Sequence, residues 1–334
     1  MSAASNSAAV QDEPDVTPPP ATGVRLEWSS VPVRLRHAVE LLLGGPVVEA
    51  VTQRGGFSPG VAARVRSTTG RRVFVKAVGP EPNADSPNIH RSEARVAAAL
   101  PASVPAPRLL GCFEEDGWVV LVFEDIDGSM PVQPWAAAEL ARVLDTLSEL
   151  ATALTPTPIE APTVAEACAD QFQGWRHLLR AQGQGEDDLA WLDRWAQLHL
   201  TDLAALEAGW SAAAEGVTLA HADLRADNLL LTEDRVMVVD WSWTCLAAPW
   251  FDLLLMLPSV RMQGGPPPET IFNDHPVARN ADPEAVTAVL AALTGYFVRQ
   301  SRQPAPPGLP TLREFQAAQG RTALAWLKIR TGWR

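Results

Sequence analysis

The segment His221–Leu231, HADLRADNLLL, constrains the fold more than any other part of the chain. It places a histidine, two aspartates and an asparagine directly before three leucines. Two interpretations compete. The polar residues either form a turn in which their side chains cap backbone groups, or they are ligands and a base fixed at the entrance to a buried strand. The residues that follow favour the second interpretation.

Residues 235–243, RVMVVDWSW, predict a second strand, so the two segments together predict a β-hairpin with its turn near Asp234. Asn228 and Asp240 each lie six residues from Asp234, and an antiparallel ladder would place them opposite one another. An amide oxygen and a carboxylate that face each other can hold a divalent cation. Asp223 lies five residues before Asn228, in the loop that leads to the same place. Three oxygen-bearing side chains are therefore expected to converge.

Length and local composition limit the kind of protein this can be. A chain of 334 residues suits about two domains or lobes. Residues 1–25 are rich in Ser, Ala, Pro and acids, which predicts a disordered tail and not a signal peptide. The most apolar long stretch, Val236–Leu257, contains Asp240 and Asp252, and these charges argue against a membrane span.

The charge and the cysteines indicate the partners and the compartment. A net charge of −12 opposes binding to nucleic acid, because phosphate contacts need a basic surface. Cys112, Cys168 and Cys245 are odd in number and widely spaced, so they predict neither a disulfide framework nor a zinc site. We expect buried, reduced thiols and a cytoplasmic protein with no nucleic-acid or membrane partner.

Lysine is rare in this chain. Among 27 basic residues, two are lysines, Lys76 and Lys328. Lys76 lies in RRVFVKAVG, where Val73, Val75 and Ala77 recur at the period of a strand. A compact ammonium suits a narrow site into which a planar guanidinium would not fit. The alternative is a surface lysine on a half-buried strand.

The order of predicted elements indicates an α+β fold. Residues 49–124 predict three strands, one helix and two further strands, preceded by the helical pattern PVRLRHAVELLLGG. From Trp135 onward the chain is predicted to be mostly helical, interrupted by the hairpin at His221–Trp243. Proline-rich QPAPPGLP predicts a linker between the last two helices.

The sequence resembles the aminoglycoside phosphotransferase family, most specifically in the segment HADLRADNLLLTEDRVMVVDW followed by PWFDL. This family is the small-molecule branch of the protein-kinase-like fold, and the resemblance covers nearly all of residues 47–331 in the order of elements. It implies two lobes, a small antiparallel-sheet N-lobe with one helix at 26–125 and a larger, mostly helical C-lobe at 126–334. The N-lobe would bind ATP, and the C-lobe would carry the catalytic loop and the acceptor-binding helices.

The resemblance also implies roles for single residues. Asp223 would be the catalytic base or would orient the acceptor, and Asn228 and Asp240 would be Mg²⁺ ligands. Lys76 would bind the α- and β-phosphates, and Glu93 would pair with it.

Two short segments match the family's nucleotide-binding loops by position. RGGFSPGVA, which contains Gly56 and Ser58, occupies the place of the phosphate-covering loop, although it has neither the G-x-G-x-x-G nor the P-loop pattern. FEDID, with Glu124, Asp125 and Ile126, occupies the place of the hinge whose backbone binds adenine.

Other residues near the motif are expected to have structural roles. Asp252 would brace the catalytic loop, and His221 is expected to hydrogen-bond that loop. Asp227 is predicted to be a turn residue. Ala222 replaces the family's usual glycine, and any small residue is expected to serve there. Three tryptophans are expected to pack in the core. They are Trp241, Trp243 and Trp250.

The acceptor is expected to be a hydroxyl group of a small molecule. Eleven residues separate Asp240 from Asp252, too few for the activation segment of a protein kinase. The acidic composition is compatible with an aminoglycoside-type antibiotic, and hence with antibiotic resistance. The alternatives are a kinase for a cellular amino sugar or amino alcohol, and a nucleotide-binding scaffold without turnover. The intact motif argues against the scaffold.

Overall fold

The computed structural model describes residues 19–81 and 83–334. Residues 1–18, most of the predicted tail, lie outside the described residues. Among the residues that the structure describes, no helix has both the length and the apolar character needed to cross a membrane.

The first part of the chain forms a five-stranded antiparallel sheet in the order β1-β2-β3-β5-β4. One helix precedes the sheet and one lies between β3 and β4, as the sequence predicted. The elements are α1 (Val33–Leu43), β1 (Val47–Thr52), β2 (Val61–Ser67), β3 (Arg72–Val78), α2 (Ser86–Ala99), β4 (Leu109–Glu115) and β5 (Trp118–Glu124).

The two faces of β3 have different neighbours, which positions Lys76. Val73 and Val75 are buried in a cluster that includes residues of α1. Phe74 packs on the opposite face, against a cluster that includes Ala94 of α2. Because side chains alternate along a strand, Lys76 points to the same face as Phe74. It therefore faces α2 and not the core below α1.

The rest of the chain is mostly helical and surrounds one large apolar core. This confirms the predicted order of a small sheet region followed by a helical region. The helices are α3 (Ala137–Ala153), α4 (Val164–Ala167), α5 (Gly174–Gly183), α6 (Arg194–Leu198), α7 (Leu200–Ala208), α8 (Trp210–Ala213), α9 (Phe251–Met262), α10 (Pro268–Asp274), α11 (Pro283–Gln300) and α12 (Leu312–Thr331). Two pairs of short strands lie among them, β6 (Thr218–Ala220) with β9 (Cys245–Ala247), and β7 (Leu229–Leu231) with β8 (Val236–Val238).

Several sequence expectations need correction. The pair β6 and β9 was not predicted, because strands of three residues leave little periodicity to detect. Of the three cysteines, Cys245 is buried but Cys112 is exposed. Trp241 and Trp250 are buried in the core, whereas the side chain of Trp243 is 49% exposed.

Residues 19–25, which the sequence analysis included in the tail, lie against the rest of the protein. Ala21 accepts a hydrogen bond from the N–H of Gly56 (2.9 Å). The N–H of Val24 donates to the carbonyl of Gly308 (2.8 Å), in the linker between α11 and α12. This segment therefore connects the β1–β2 loop to the C-terminal helices. We call it the N-terminal strap.

Candidate active site

Two cavities lie between the sheet and the helical region. The sheet-side cavity, of about 530 Å³, is lined by β2, β3, the β1–β2 loop and the segment after β5. The helix-side cavity, of about 320 Å³, is lined by the segment at Asp223, by α2 and by residues of α11 and α12. Ser58, Glu93 and Asp240 line both cavities. The two cavities therefore meet at Asp240.

The hairpin that carries the motif has a different register from the predicted one. Leu229 pairs with Val238, and the N–H of Val239 donates to the carbonyl of Asn228 (3.0 Å). Asn228 is thus opposite Val239, and the prediction that it faces Asp240 is wrong by one residue. Asp240 has a left-handed backbone, with φ of 68°, directly after the hairpin. Both side chains nevertheless line the sheet-side cavity.

Asp240 and Lys76 form a buried ionic group. The Nζ of Lys76 lies 2.6 Å from Glu93 Oε1 and 3.4 Å from Asp240 Oδ1, and the hydroxyl of Ser242 donates to the same Asp240 oxygen (2.8 Å). Burial alone would raise the pKa of Asp240, but Lys76 and Ser242 outweigh it and hold this pKa well below its usual range. Asp240 is therefore a carboxylate at neutral pH.

Asn228 is held so that its amide oxygen remains available. Its Nδ2 group donates to the backbone carbonyl of Asp223 (2.7 Å) and to Asp223 Oδ2 (3.3 Å). The amide nitrogen is thereby turned toward Asp223. The oxygen of Asn228 accepts no hydrogen bond within the part of the chain that the structure describes. This oxygen and the carboxylate of Asp240 are hard oxygen ligands, the type of donor that Mg²⁺ takes in proteins. These two residues fit a magnesium site.

Asp223 lines the helix-side cavity and not the sheet-side one. Burial raises the pKa of Asp223 to about 6, although the neighbouring Arg225 guanidinium opposes that shift. At pH 7 this carboxyl group is therefore ionised but close to its pKa, which is a suitable state for a proton acceptor.

Arg225 is a residue of this site that the sequence analysis missed. It forms an ion pair with Asp223 and bonds both carboxylate oxygens of Asp227 (3.0 and 2.9 Å). Its guanidinium also lies 5.5 Å from the ring centre of Phe57 in the β1–β2 loop. Asp227, predicted to be a turn residue, lies in the helical turn Ala226–Asn228 and is also a partner of this arginine. Its position in the sequence, two residues from both Asp223 and Asp227, could have indicated these ion pairs.

The backbone before Asp223 is fixed by buried hydrogen bonds. The carboxylate of Asp252 accepts bonds from the N–H groups of His221 (2.8 Å) and Ala222 (2.7 Å). His221 Nε2 bonds the carbonyl of Val239 (2.9 Å), and the N–H of Asp223 donates to His221 Nδ1 (3.2 Å). Ala222 has φ of 63°, so this position requires a left-handed backbone as well as a small side chain.

The predicted loop and hinge residues line the sheet-side cavity. Gly56 and Ser58 lie on one side of it, and Glu124, Asp125 and Ile126 lie on another. The side chain of Asp125 forms ion pairs with two arginines of the sheet, at 2.9 and 2.7 Å. That carboxylate is therefore used within the sheet, and the backbone is the part of the hinge available to a ligand.

Arg25 of the N-terminal strap is a second residue that the sequence analysis missed. Its guanidinium lines the sheet-side cavity and donates to the carbonyls of Gly55 and Ser58. Burial lowers the pKa of Arg25, while Asp240 and Asp227 oppose that shift. Its Nε is buried and has no hydrogen-bond partner among the described residues. No sequence signal distinguished it, because its partners are backbone carbonyls.

Comparison with known proteins identifies the family. A family model for phosphotransferase enzymes, APH, matches residues 54–289. Among solved structures, the chain is similar to a thermostable mutant of aminoglycoside phosphotransferase APH(4)-Ia in a ternary complex with ADP and hygromycin B, with a TM-score of 0.57 and 16% identity over 89% of this chain and 98% of that one. It is also similar to a choline/ethanolamine kinase family protein from Mesorhizobium loti, with a TM-score of 0.53 and 15% identity over 85% of this chain and 88% of that one. Among curated proteins, no sequence matches the chain.

The similar structures show that the two regions form the predicted protein-kinase-like fold. The family model covers more than two thirds of the chain and includes both the lysine strand and the hairpin motif. The chain therefore belongs to the APH phosphotransferase enzyme family and is a small-molecule phosphotransferase.

Proposed function

We propose that the protein transfers the γ-phosphoryl group of ATP to a hydroxyl group of a small molecule. The observation that carries this proposal is the junction of the two cavities at Asp240. Lys76 and Asn228 lie on the sheet side of the junction, and Asp223 lies on the helix side. A phosphoryl group crossing between two bound molecules needs this arrangement, with cations on one side and a proton acceptor on the other.

ATP would occupy the sheet-side cavity. Adenine would bind the backbone of Glu124–Ile126, where the N–H of Ile126 has no hydrogen-bond partner among the described residues. The ammonium of Lys76, held by Glu93, would bind the non-transferred phosphates. Gly56 and Ser58 would cover them. A neighbour crystallised with ADP supports this assignment.

Arg25 would supply a further positive charge to the phosphates. Its guanidinium is buried beside the loop carbonyls and near Asp240 and Asp227. An unpartnered N–H of a buried guanidinium is a strong donor for a phosphate oxygen.

Magnesium would be held by the amide oxygen of Asn228 and the carboxylate of Asp240, with the remaining ligands coming from phosphates and water. When bound, the ion neutralises the charge on the phosphates and so stabilises the transition state. Asp240 is prepared for this role because it stays ionised throughout the neutral range.

Asp223 would accept or orient the proton of the acceptor hydroxyl. Arg225 fixes one of its carboxylate oxygens, and Asn228 contacts the other. His221 and Asp252 hold the backbone that carries it. These contacts restrict Asp223 to one orientation. This restriction reduces the entropic cost of reaching the transition state.

Two measurements test this proposal. ADP release should be measured against a panel of aminoglycosides, amino sugars, amino alcohols and neutral alcohols. ATP binding should be measured by calorimetry with magnesium and with EDTA. We expect ATP affinity to depend strongly on magnesium in the wild type and in the control Asp234→Ala, which changes the exposed hairpin turn, but not in Asp240→Ala. Equal ATP affinity in EDTA would contradict the metal assignment. Binding of Mg-ATP without any turnover would favour the scaffold.

A further inference from the structure

The helix-side cavity is large enough for a small organic molecule, since a volume of about 320 Å³ lies at the lower end of the range of known ligand pockets. It opens directly onto Asp223. Under the proposed function this cavity holds the acceptor. The charges and polar groups of its lining therefore determine which acceptors can bind.

The acids of this cavity are already paired. Four ionisable side chains line it, and they are Glu93, Asp223, Arg225 and Asp240. Glu93 and Asp240 contact Lys76 at 2.6 and 3.4 Å, and Asp223 contacts Arg225. Each carboxylate that lines the cavity therefore already contacts a cationic side chain, for which an ammonium group of a ligand would have to compete.

A polycationic acceptor would therefore bind poorly here. Its ammonium groups would lose water and would compete with Arg225 and Lys76 for the same carboxylates. They would also lie near the positive charges of Arg225 and Lys76. His90, another lining residue, offers no compensation, since burial and Lys76 lower its pKa to about 4 and leave it neutral.

Aromatic side chains supply much of the lining instead. Phe57 and Phe315 meet edge to face, with ring centres 5.0 Å apart, and Phe172 and Tyr296 lie deeper in the helical region. Trp243 lines the cavity and is 49% exposed, although the sequence predicted it in the core. An exposed indole beside an aromatic cavity gains free energy when an apolar ligand covers it.

One neutral polar group in the cavity lacks a partner. The Oε1 of Gln171 is buried and accepts no hydrogen bond among the described residues. The amides of Gln316 and Gln319, by contrast, donate to Tyr296 (3.2 Å) and to Ser259 (2.7 Å). A buried acceptor without a partner is rare in proteins, and a ligand O–H or N–H would satisfy it.

We propose that the acceptor is an uncharged alcohol with a largely apolar, ring-containing body, and this rests on the proposed phosphotransfer. The body lies against Trp243 and Phe315, a donor group of the acceptor bonds Gln171, and the reacting hydroxyl meets Asp223. In the reaction, the bond from the γ-phosphorus to the oxygen that bridges to the β-phosphate breaks. A bond to the acceptor oxygen forms, and the hydroxyl proton passes to Asp223. The products are ADP and a phosphate monoester.

The test uses pairs of ligands of equal size. Macrolactone, steroid and aryl-glycoside alcohols are each compared with an analogue that carries an ammonium group. Binding is measured by calorimetry with saturating magnesium and a non-hydrolysable ATP analogue. We expect at least one neutral alcohol to bind about tenfold more tightly than its charged analogue. Trp243→Ala should weaken that binding about tenfold, because it removes apolar contact.

Two variants sharpen this result. Trp191→Ala removes a tryptophan that lines neither cavity, and it should leave binding unchanged. Gln171→Glu adds an acid beside the ligand and should shift the preference toward the ammonium analogue by about tenfold.

The outcomes separate this inference from the proposed function. Tighter binding of the charged analogues, or no binding of any neutral alcohol at millimolar concentration, would overturn the acceptor class. Turnover of aminoglycosides without binding of neutral alcohols would overturn the acceptor class but would support the proposed phosphotransfer. Binding of a neutral alcohol that weakens in Trp243→Ala, without ADP release for any acceptor, would retain the cavity assignment and overturn the phosphotransfer.

Discussion

The two cavities that meet at Asp240 differ in their lining. The sheet-side cavity carries cations, Lys76 and Arg25, beside the acids Asp227 and Asp240. The helix-side cavity has aromatic walls, and its acids are paired. The first suits a highly charged ligand, and the second suits a mostly apolar one. This difference indicates that ATP binding and acceptor choice depend on largely different residues, so single variants should affect one more than the other.

The largest effect is expected for Asp223→Asn, on the helix side. Asn has nearly the same shape but cannot take a proton, so turnover should fall by about 10²–10⁴, the usual range for loss of a general base. ATP affinity, a property of the sheet side, should remain. Asp227→Asn is the matched control, because it also removes an acid from Arg225 but does not line the helix-side cavity. Equal losses of turnover in the two variants would contradict a base role for Asp223.

Lys76→Arg should be nearly as damaging as Lys76→Ala, with turnover lower by about 10²–10³. The planar guanidinium is larger than the ammonium that lies 2.6 Å from Glu93 in a buried position. The other lysine provides the control. Lys328 pairs with the half-exposed Asp193, so Lys328→Arg should keep full activity in the same ADP-release assay. An active Lys76→Arg enzyme would return Lys76 to the surface-lysine interpretation.

The pH profile of kcat/KM for the acceptor should report the ionisation of Asp223. Because burial raises the pKa of Asp223 to about 6, its carboxylate becomes protonated as the pH falls through this value. Activity should then decrease about tenfold per pH unit below pH 6. Asp240 stays ionised over the same range, since its pKa is held low. Burial raises the pKa of Glu93 to about 7, so the decrease near pH 6 is assigned to Asp223 by its absence from the residual activity of Asp223→Asn. A flat profile between pH 5 and 7, at saturating Mg-ATP, would contradict this assignment.

A smaller effect is expected for Arg25→Gln, in the N-terminal strap. Loss of one charged hydrogen bond to phosphate corresponds to a decrease of about tenfold in ATP affinity. The KM for the acceptor should change little, because Arg25 does not line the helix-side cavity. Arg66→Gln, which removes a cation from an exposed ion pair between β1 and β2, is the control and should bind ATP normally. Unchanged affinity in Arg25→Gln would confine the strap to a structural role.

Local patterns in the sequence were sufficient to predict the sheet and the motif. The alternation of Val73 and Val75 with Phe74 and Lys76 is a property of β3 alone, and the structure confirms it. The hairpin register could not be predicted to the residue, because one residue more or less in its turn moves every pair. The observed turn lies between Leu231 and Val236, so its centre is half a residue away from the predicted one.

The helix-side cavity could not be predicted in this way. Trp243 and Phe315 line one cavity only because the helical region folds around the hairpin. Neither residue belongs to a motif, and both would suit a core equally well. The position of Arg25 could not be predicted either, because the N-terminal strap has the composition of a disordered tail. These features depend on contacts between distant segments, which periodicity and spacing do not record.

The smallest effect is expected at Ala222, where the motif predicted a small side chain but not the backbone conformation. With φ of 63°, Ala222 is strained by about 1–2 kcal/mol relative to a right-handed backbone, and glycine would remove that strain. Glycine would also make the unfolded chain more flexible, which offsets about 0.4–1 kcal/mol. Ala222→Gly should therefore raise the free energy of unfolding by up to about 1.5 kcal/mol, measured by urea denaturation. Ala220→Gly, in the buried strand β6, is the matched control and should lower the free energy of unfolding, because no strain is relieved there.

Turnover of Ala222→Gly should stay near that of the wild type, since Asp252 accepts its hydrogen bond from the backbone N–H at this position, which alanine and glycine both have. Loss of stability in both variants would mean that the left-handed backbone at Ala222 is not strained.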